Sequence, residues 1–196
     1  MIATMSDLSL TEVHSDIIVA AALLHDADDP KLFATRDYAN ARGALSLAGV
    51  FPATAAHIIN CIKLVSCSTQ AYYEVEIDIQ PWMLVARDAD RLDAIGIGGV
   101  VRCLEYGDSI GRPLAVRDTP LPRTRAELLQ CVDVERFERY KRGVPSASTI
   151  DHFFDKLVHF RCNDSGNVYL AEAAAVKYEG MISAMLDVIA KATTQH

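Results

Sequence analysis

The stretch Leu10-Thr-Glu-Val-His-Ser-Asp-Ile-Ile-Val-Ala-Ala-Ala-Leu-Leu-His-Asp26 decides how the chain folds. Val13, Ile17, Ala20, Ala21 and Leu24 recur at three- and four-residue steps, the spacing that lines one side of an α-helix. Thr11 or Ser9 is placed to cap that helix. It closes on His25-Asp26, so an apolar element delivers an imidazole and a carboxylate about 100° apart around its axis.

Outward from this helix the same period dominates. A second helix is predicted over Asp37 to Ala48, stopping at Gly49, and a third after Pro52, carrying Ala56, Ile59, Ile62 and Leu64 towards Ser66. From Tyr73 to Ile79, Val75, Ile77 and Ile79 alternate with Glu74, Glu76 and Asp78, the period of a short half-buried strand. With no second strand to pair it, the segment reads as a loop excursion. Asp88 to Tyr106 reads as one long helix with Gly96, Gly98 and Gly99 inside it, and their cost to helix stability calls for a close-packed neighbouring helix.

Residues 107–147 are punctuated by Gly111, Pro113, Pro120, Pro122, Gly143 and Pro145 and form an irregular lid or rim, with one or two short helices between Arg125 and Tyr140. Ser148-Thr149-Ile150-Asp151 fits a capping box, and Ile150, Phe153, Phe154, Leu157 and Val158 follow it as an apolar stripe. A last helix runs near Tyr169 to Ala192. The expectation is one all-α domain over residues 1–196, a bundle of about six to eight helices.

Composition narrows the function classes. A formal charge of −7 with dispersed Lys and Arg argues against an extended nucleic-acid surface, which needs clustered cations. A small phosphorylated substrate needs only one or two cations and a metal. Cys61, Cys67, Cys103, Cys131 and Cys162 form no C-x-x-C pair and are odd in number, which predicts reduced, mostly buried thiols. The first sixteen residues hold no Lys or Arg, unlike a secretory leader, and the apolar run Ile17 to Leu24 is too short to cross a bilayer. These readings predict a soluble cytoplasmic protein with no membrane partner; a homodimer is compatible with them.

Four of the five residues from His25 to Asp29 are potential metal ligands, and so many carboxylates repel unless a cation neutralises them. A solvated acidic helix end would read the same way. In Arg87-Asp88-Ala89-Asp90-Arg91-Leu92-Asp93, Asp90 and Asp93 share a helix face at i, i+3 beside two arginines. A charged exposed turn is the bland alternative there.

Ala21-Ala-Leu-Leu-His-Asp26 together with Asp88-Ala-Asp-Arg-Leu-Asp-Ala-Ile-Gly96 resembles the HD superfamily of metal-dependent phosphohydrolases, specifically its small bacterial-type branch. Ile58 to Ser68, Tyr106-Gly-Asp-Ser-Ile-Gly-Arg-Pro113 and Ser148-Thr-Ile-Asp-His-Phe-Phe-Asp-Lys-Leu157 extend the likeness, so that ordered matches run from about Ile17 to Leu157. The resemblance implies an all-α fold in which a histidine, a His-Asp pair and a distant aspartate bind a divalent ion, commonly Mn2+ or Mg2+. Carried over by position, the pair is His25 and Asp26 and the distant aspartate Asp90. It also implies hydrolysis of a small phosphorylated molecule, with a nucleotide as the leading substrate class and phosphate or pyrophosphate released.

The chain departs from the family pattern at the front, where a His-x-x-x-His helix normally precedes the pair. Only twenty-four residues stand before His25, and His14 is the sole candidate there. Eleven residues of continuous helix would put it about 16 Å from His25, whereas ligands lie within roughly 2 to 2.6 Å of one ion. His14 is therefore expected to be a surface or packing residue. Losing one ligand of four weakens metal affinity, so the competing expectation is a catalytically impaired HD-like domain, truncated or a pseudo-enzyme, serving as a binding or regulatory module.

Secondary roles follow with less support from the residues. Asp29 or Asp93 would position the attacking water. Arg112 in its glycine-rich turn, and His152 and Lys156 four apart on the polar side of the late helix, would hold substrate phosphate as donors; solvated residues are the alternative for the latter two. Arg91 and Arg102 would pair with local carboxylates, and His57 sits on a helix surface. Gly96-Ile-Gly98-Gly99-Val-Val101 begins like a dinucleotide fingerprint, but it has Val101 where the last glycine belongs and no strand before it.

Overall fold

The computed structural model describes residues 12–30, 32–65 and 78–193. Among them are nine α-helices and no strand: α1 Glu12–Leu24, α2 Ala39–Leu47, α3 Pro52–Val65, α4 Val85–Ala94, α5 Ile97–Ser109, α6 Arg125–Gln130, α7 Val134–Lys141, α8 Thr149–Asp155 and α9 Val168–Thr193. Short 3-10 turns at Pro81–Leu84 and Leu157–His159 complete the set. The all-α expectation holds. The proposed caps Ser9 and Thr11, and the alternating segment up to residue 77, lie outside the described residues.

The helices gather into two compact units, one formed by Met1–Asp90 with Cys162–Leu170, the other by Arg91–Arg161 with Ala171–His196. In the first, α1 lies against α3, and Ile17, Ala21, Ala41, Leu45, Ile58, Ile59 and Ile62 are buried in one cluster with Met83 and Ala86. Val13, expected on the buried side of α1, is 59% exposed, because the apolar seam of that helix begins only at Ile17. Cys61 lies in this cluster, where burial pushes its thiol up to about 12. All four described cysteines, Cys61, Cys103, Cys131 and Cys162, are free thiols, as expected; Cys67 lies outside the described residues.

In the second unit α8 packs on α5 and α7. Ser148 caps α8 as its sequence predicts, its Oγ accepting from the Asp151 amide at 3.0 Å. The stripe Ile150, Phe153, Phe154, Leu157 and Val158 is fully buried. Irregular residues 107–147 are fastened to this helix. The Thr119 hydroxyl and the Ser148 hydroxyl each donate to Asp151 Oδ2 at 2.7 Å, while Arg136 reaches Asp151 Oδ1 and Asp155 Oδ1, both at 2.7 Å.

One expectation fails here: the single helix over 88–106 is two. The break is Gly96, whose φ of 90° lies in a region L side chains avoid, so the chain leaves α4 and starts α5 at that residue. This division gives one helix more than the sequence reading allows. Of the three glycines, Gly96 does face a neighbouring helix, since a Cβ there would lie 3.5 Å from the Lys177 side chain of α9, in ordinary contact. Gly98 has open space around it, and a Cβ at Gly99 would strike the Ala94 carbonyl. The closest approach of another helix is at Gly107, where a Cβ would run into the Thr149 Oγ1 of α8.

Gly107→Ala should therefore destabilise. The helix-propensity gain of up to about 1 kcal/mol is outweighed by overpacking of about 1–3 kcal/mol, because Thr149 is buried and cannot move aside. A lower melting temperature for Gly107→Ala, beside an unchanged or raised one for Gly98→Ala, checks it. Equal stability of both with wild type would remove the close contact as an explanation.

Candidate metal centre

Every component of the candidate metal centre lies in the first unit. α1 ends at Leu24, and the chain turns immediately, with the Ala27 amide donating to the Leu24 carbonyl at 3.0 Å and the Asp29 amide to the Asp26 carbonyl at 3.1 Å. His25 sits at the start of this turn. Its Nδ1 lies 2.8 Å from the Ala22 carbonyl, a group that can only accept, so Nδ1 carries the proton. The opposite nitrogen, Nε2, then faces Asp26 Oδ2 at 3.2 Å and Asp90 Oδ1 at 3.6 Å. Residues 25, 26 and 90, distant in sequence, thus converge on one imidazole nitrogen.

A neutral His25 with Nδ1–H would point a lone pair at two carboxylates, which is repulsive; a positive charge among them, a proton or a cation, relieves it. The donor chemistry, one imidazole and two carboxylates, suits Mn2+ or Mg2+. The fixing of Nδ1 by a backbone carbonyl is the arrangement metal-binding histidines use to hold their orientation. The donors meet as pairs: among the described residues no group of three or more His, Cys, Asp or Glu side chains is assembled closely enough to hold an ion. The Asp26 side chain, 71% exposed against 25% for His25 and 41% for Asp90, is the one with most room to close the set.

One carboxylate of the turn has other work. Asp28, read from the sequence as a potential ligand, caps α2 instead, accepting from the Asn40 amide at 3.0 Å and the Ala41 amide at 2.9 Å. Desolvation of Asp28 opposes ionisation, but hydrogen bonding from the Thr35 side chain and from the Ala41 and Asn40 amides holds its carboxyl below the usual carboxylate range. Asp29 contributes its backbone carbonyl to the Leu32 and Phe33 amides. His14 stacks on Trp82 with ring centroids 4.4 Å apart, a packing role as expected. His57 is exposed on α3.

Asp90 is carried by α4, and the first turn of that helix is locked by a buried pair that sequence reasoning missed. Arg87 donates to Asp164 Oδ2 at 2.6 Å, and Asp88 accepts from the Ser165 amide at 2.8 Å. Both Arg87 and Asp88 are buried. Only a charged pair directly before Ala89-Asp90 hinted at this, and its partners lie 77 residues on.

The other sequence-predicted residues belong to the second unit. Asp93 pairs with Arg102 at 2.8 Å, as expected for Arg102, and that hydrogen bond and charge hold its carboxyl below the usual range. Arg91 donates to the Arg161 carbonyl at 3.3 Å. Arg112 follows Gly111 in the turn that ends α5 and lies over the Tyr106 ring, 5.8 Å from its centroid. His152 and Lys156 do not share a polar helix side. Every residue of α8 is buried, His152 is 8% exposed with Nδ1 3.1 Å from Ser146 Oγ, and Lys156 lies beyond the last helical residue, over the Tyr140 and Phe160 rings.

No family model matches the chain. It is similar to the uncharacterized protein L803 of Acanthamoeba polyphaga mimivirus, with 37% identity over 185 residues covering 85% of this chain and 74% of that protein. In fold it resembles a crystal structure from Lactobacillus plantarum, with a TM-score of 0.61 over 91% of this chain and 76% of that one; at 22% identity this shows the fold alone.

Proposed function

The chain belongs to the family of the mimivirus protein L803, and from its own residues we propose that it is a metal-dependent phosphohydrolase of the HD superfamily acting on a small phosphorylated substrate, a nucleotide. The observation that carries this reading is His25, its Nδ1 on the Ala22 carbonyl and its Nε2 facing Asp26 and Asp90. The HD-like spacing of the same three residues supports it.

When bound, Mn2+ or Mg2+ supplies Lewis acidity, offsetting phosphoryl charge and making water a competent nucleophile near neutral pH. His25, Asp26 and Asp90 would hold the ion. His25 does so in one tautomer, because Nδ1 is already committed. Asp26, the most exposed of the three, has the most room to close on the ion, and Asp29 in the same turn would orient the water. No helix among the described residues is long and apolar enough to cross a membrane.

The test is Mn2+ binding together with phosphate or pyrophosphate release from a nucleotide panel, comparing wild type with Asp90→Ala. Wild type is expected to bind Mn2+ and release product, and the variant to lose both. Wild type and variant alike binding no metal and releasing nothing would end the reading.

A further inference from the structure

We propose that Asp28 and Asn40 form a positioning pair that holds the His25-Asp26 turn in the geometry a metal requires, an inference that rests on the reading above. The two residues tie the turn to α2 from both sides. Asp28 spends both carboxylate oxygens on the amides of Asn40 and Ala41 at the start of α2, and Asn40 Nδ2 donates back to the Ala27 carbonyl at 2.8 Å. Ala27 directly follows Asp26, and its own amide returns to Leu24. The peptide behind the metal pair is thereby held on its amide side by α1 and on its carbonyl side by α2.

What makes the clasp rigid is the footing of α2. Ala41 is fully buried and Leu45 nearly so, both in the cluster that also holds Ile17 and Ala21 of α1. The chain enters α2 through two consecutive non-glycine residues in the left-handed region, Asp37 at φ 55° and Tyr38 at φ 57°, and Arg42 Nε fastens that bend by donating to the Asp37 carbonyl at 2.8 Å. Tyr38, the N-cap residue, gives α2 no side-chain cap, and the distant Asp28 supplies it. With both oxygens on amides, Asp28 steadies the turn without joining the ligands. Holding the turn matters because Asp26 is largely exposed, and an unsteadied backbone would let its carboxylate swing away from His25.

The experiment is a Mn2+ titration followed by the electron paramagnetic resonance of free and bound ion, with metal-free thermal melts alongside, on wild type, Asn40→Ala and Asp28→Asn. Asn40→Ala keeps the backbone amide that caps onto Asp28 and deletes only the bond to Ala27. It is expected to melt like wild type without metal and to bind Mn2+ about ten- to a hundredfold more weakly, the usual effect of removing an outer partner of a metal site. Asp28→Asn should weaken binding in the same direction. Wild-type affinity in Asn40→Ala overturns the clasp. So does a loss confined to Asp28→Asn, which would make Asp28 a ligand, and so does a metal-free melt of Asn40→Ala lowered in step with its affinity. If wild type itself takes up no Mn2+, the metal reading of His25, Asp26 and Asp90 falls first and the clasp with it.

Discussion

His25→Ala is expected to abolish the rise in melting temperature that Mn2+ gives the wild-type protein on the proposed metal reading, and to lower kcat/KM for the nucleotide substrate of that reading by about a thousandfold or more. His25 Nε2 is the atom both carboxylates face, at 3.2 and 3.6 Å, so removing it leaves Asp26 and Asp90 without their common partner. A ligand present at a hundred times its dissociation constant stabilises by about 2.7 kcal/mol, or roughly 5–11 °C in a chain of this size. The alanine variant forfeits that rise. The catalytic loss follows because metal stabilisation of a transition state is worth several kcal/mol, each factor of ten being about 1.4 kcal/mol. Melting curves with and without Mn2+ separate the metal from the fold, since His25 is partly exposed and its metal-free loss should stay near 1 kcal/mol or less. A variant that gains as much from Mn2+ as wild type does would remove His25 from the metal.

Asp151→Ala is expected to be the most damaging substitution to stability in the second unit, costing about 3–5 kcal/mol because it removes one of the two carboxylates on a partly buried cation and, with it, the acceptor of two buried hydroxyls. Asp151 is where the irregular stretch meets α8. It accepts from Thr119 and Ser148 on one oxygen and from Arg136 on the other. Removing it leaves Arg136 with Asp155 alone and two buried hydroxyls without their acceptor. Urea unfolding and thermal melts measure the cost, with a fall of roughly 6–20 °C expected. The pH dependence has a definite sign. Desolvation would raise the Asp151 carboxyl, but the Ser148, Arg136 and Thr119 hydrogen bonds outweigh it and the folded value is lowered. Its stabilisation is thus complete above the unfolded carboxylate value of about 3.9 and is lost as pH falls through the lower folded value. Wild type should lose stability in that acidic window where Asp151→Ala, already lacking the contribution, loses less. Parallel pH profiles for the two proteins would discount Asp151 as their source of acid sensitivity.

What could be read beforehand was whatever is local. The α1 pattern, the His25-Asp26 terminus, the Ser148 cap and the α8 stripe depend on residues within a turn or two of one another, and helical periodicity displays them directly. The failures have a common cause. Gly96 looked like a costly passenger inside a helix because sequence shows that a residue is glycine but not that its φ is positive. Asp28 looked like a ligand because it stands beside two others, whereas its partners, the Asn40 and Ala41 amides, come from twelve and thirteen residues on. His152 and Lys156 satisfy the i, i+4 rule for a shared face, but α8 is buried on all sides and ends before Lys156, so the rule had no polar face to act on. The convergence of Asp90 on His25 was legible only through the family resemblance; spacing alone cannot bring residues 25 and 90 together.

The environment of Cys61 carries a consequence for chemical labelling. Burial pushes this thiol far above its ordinary value, so that it stays protonated at neutral pH, and the thiolate is the form that alkylating reagents and peroxide attack. Packed among isoleucines, it is also shut off from them. Among the described cysteines, Cys103 and Cys131 are only partly covered, and a fluorophore or spin label placed on either leaves the interior of the first unit chemically untouched.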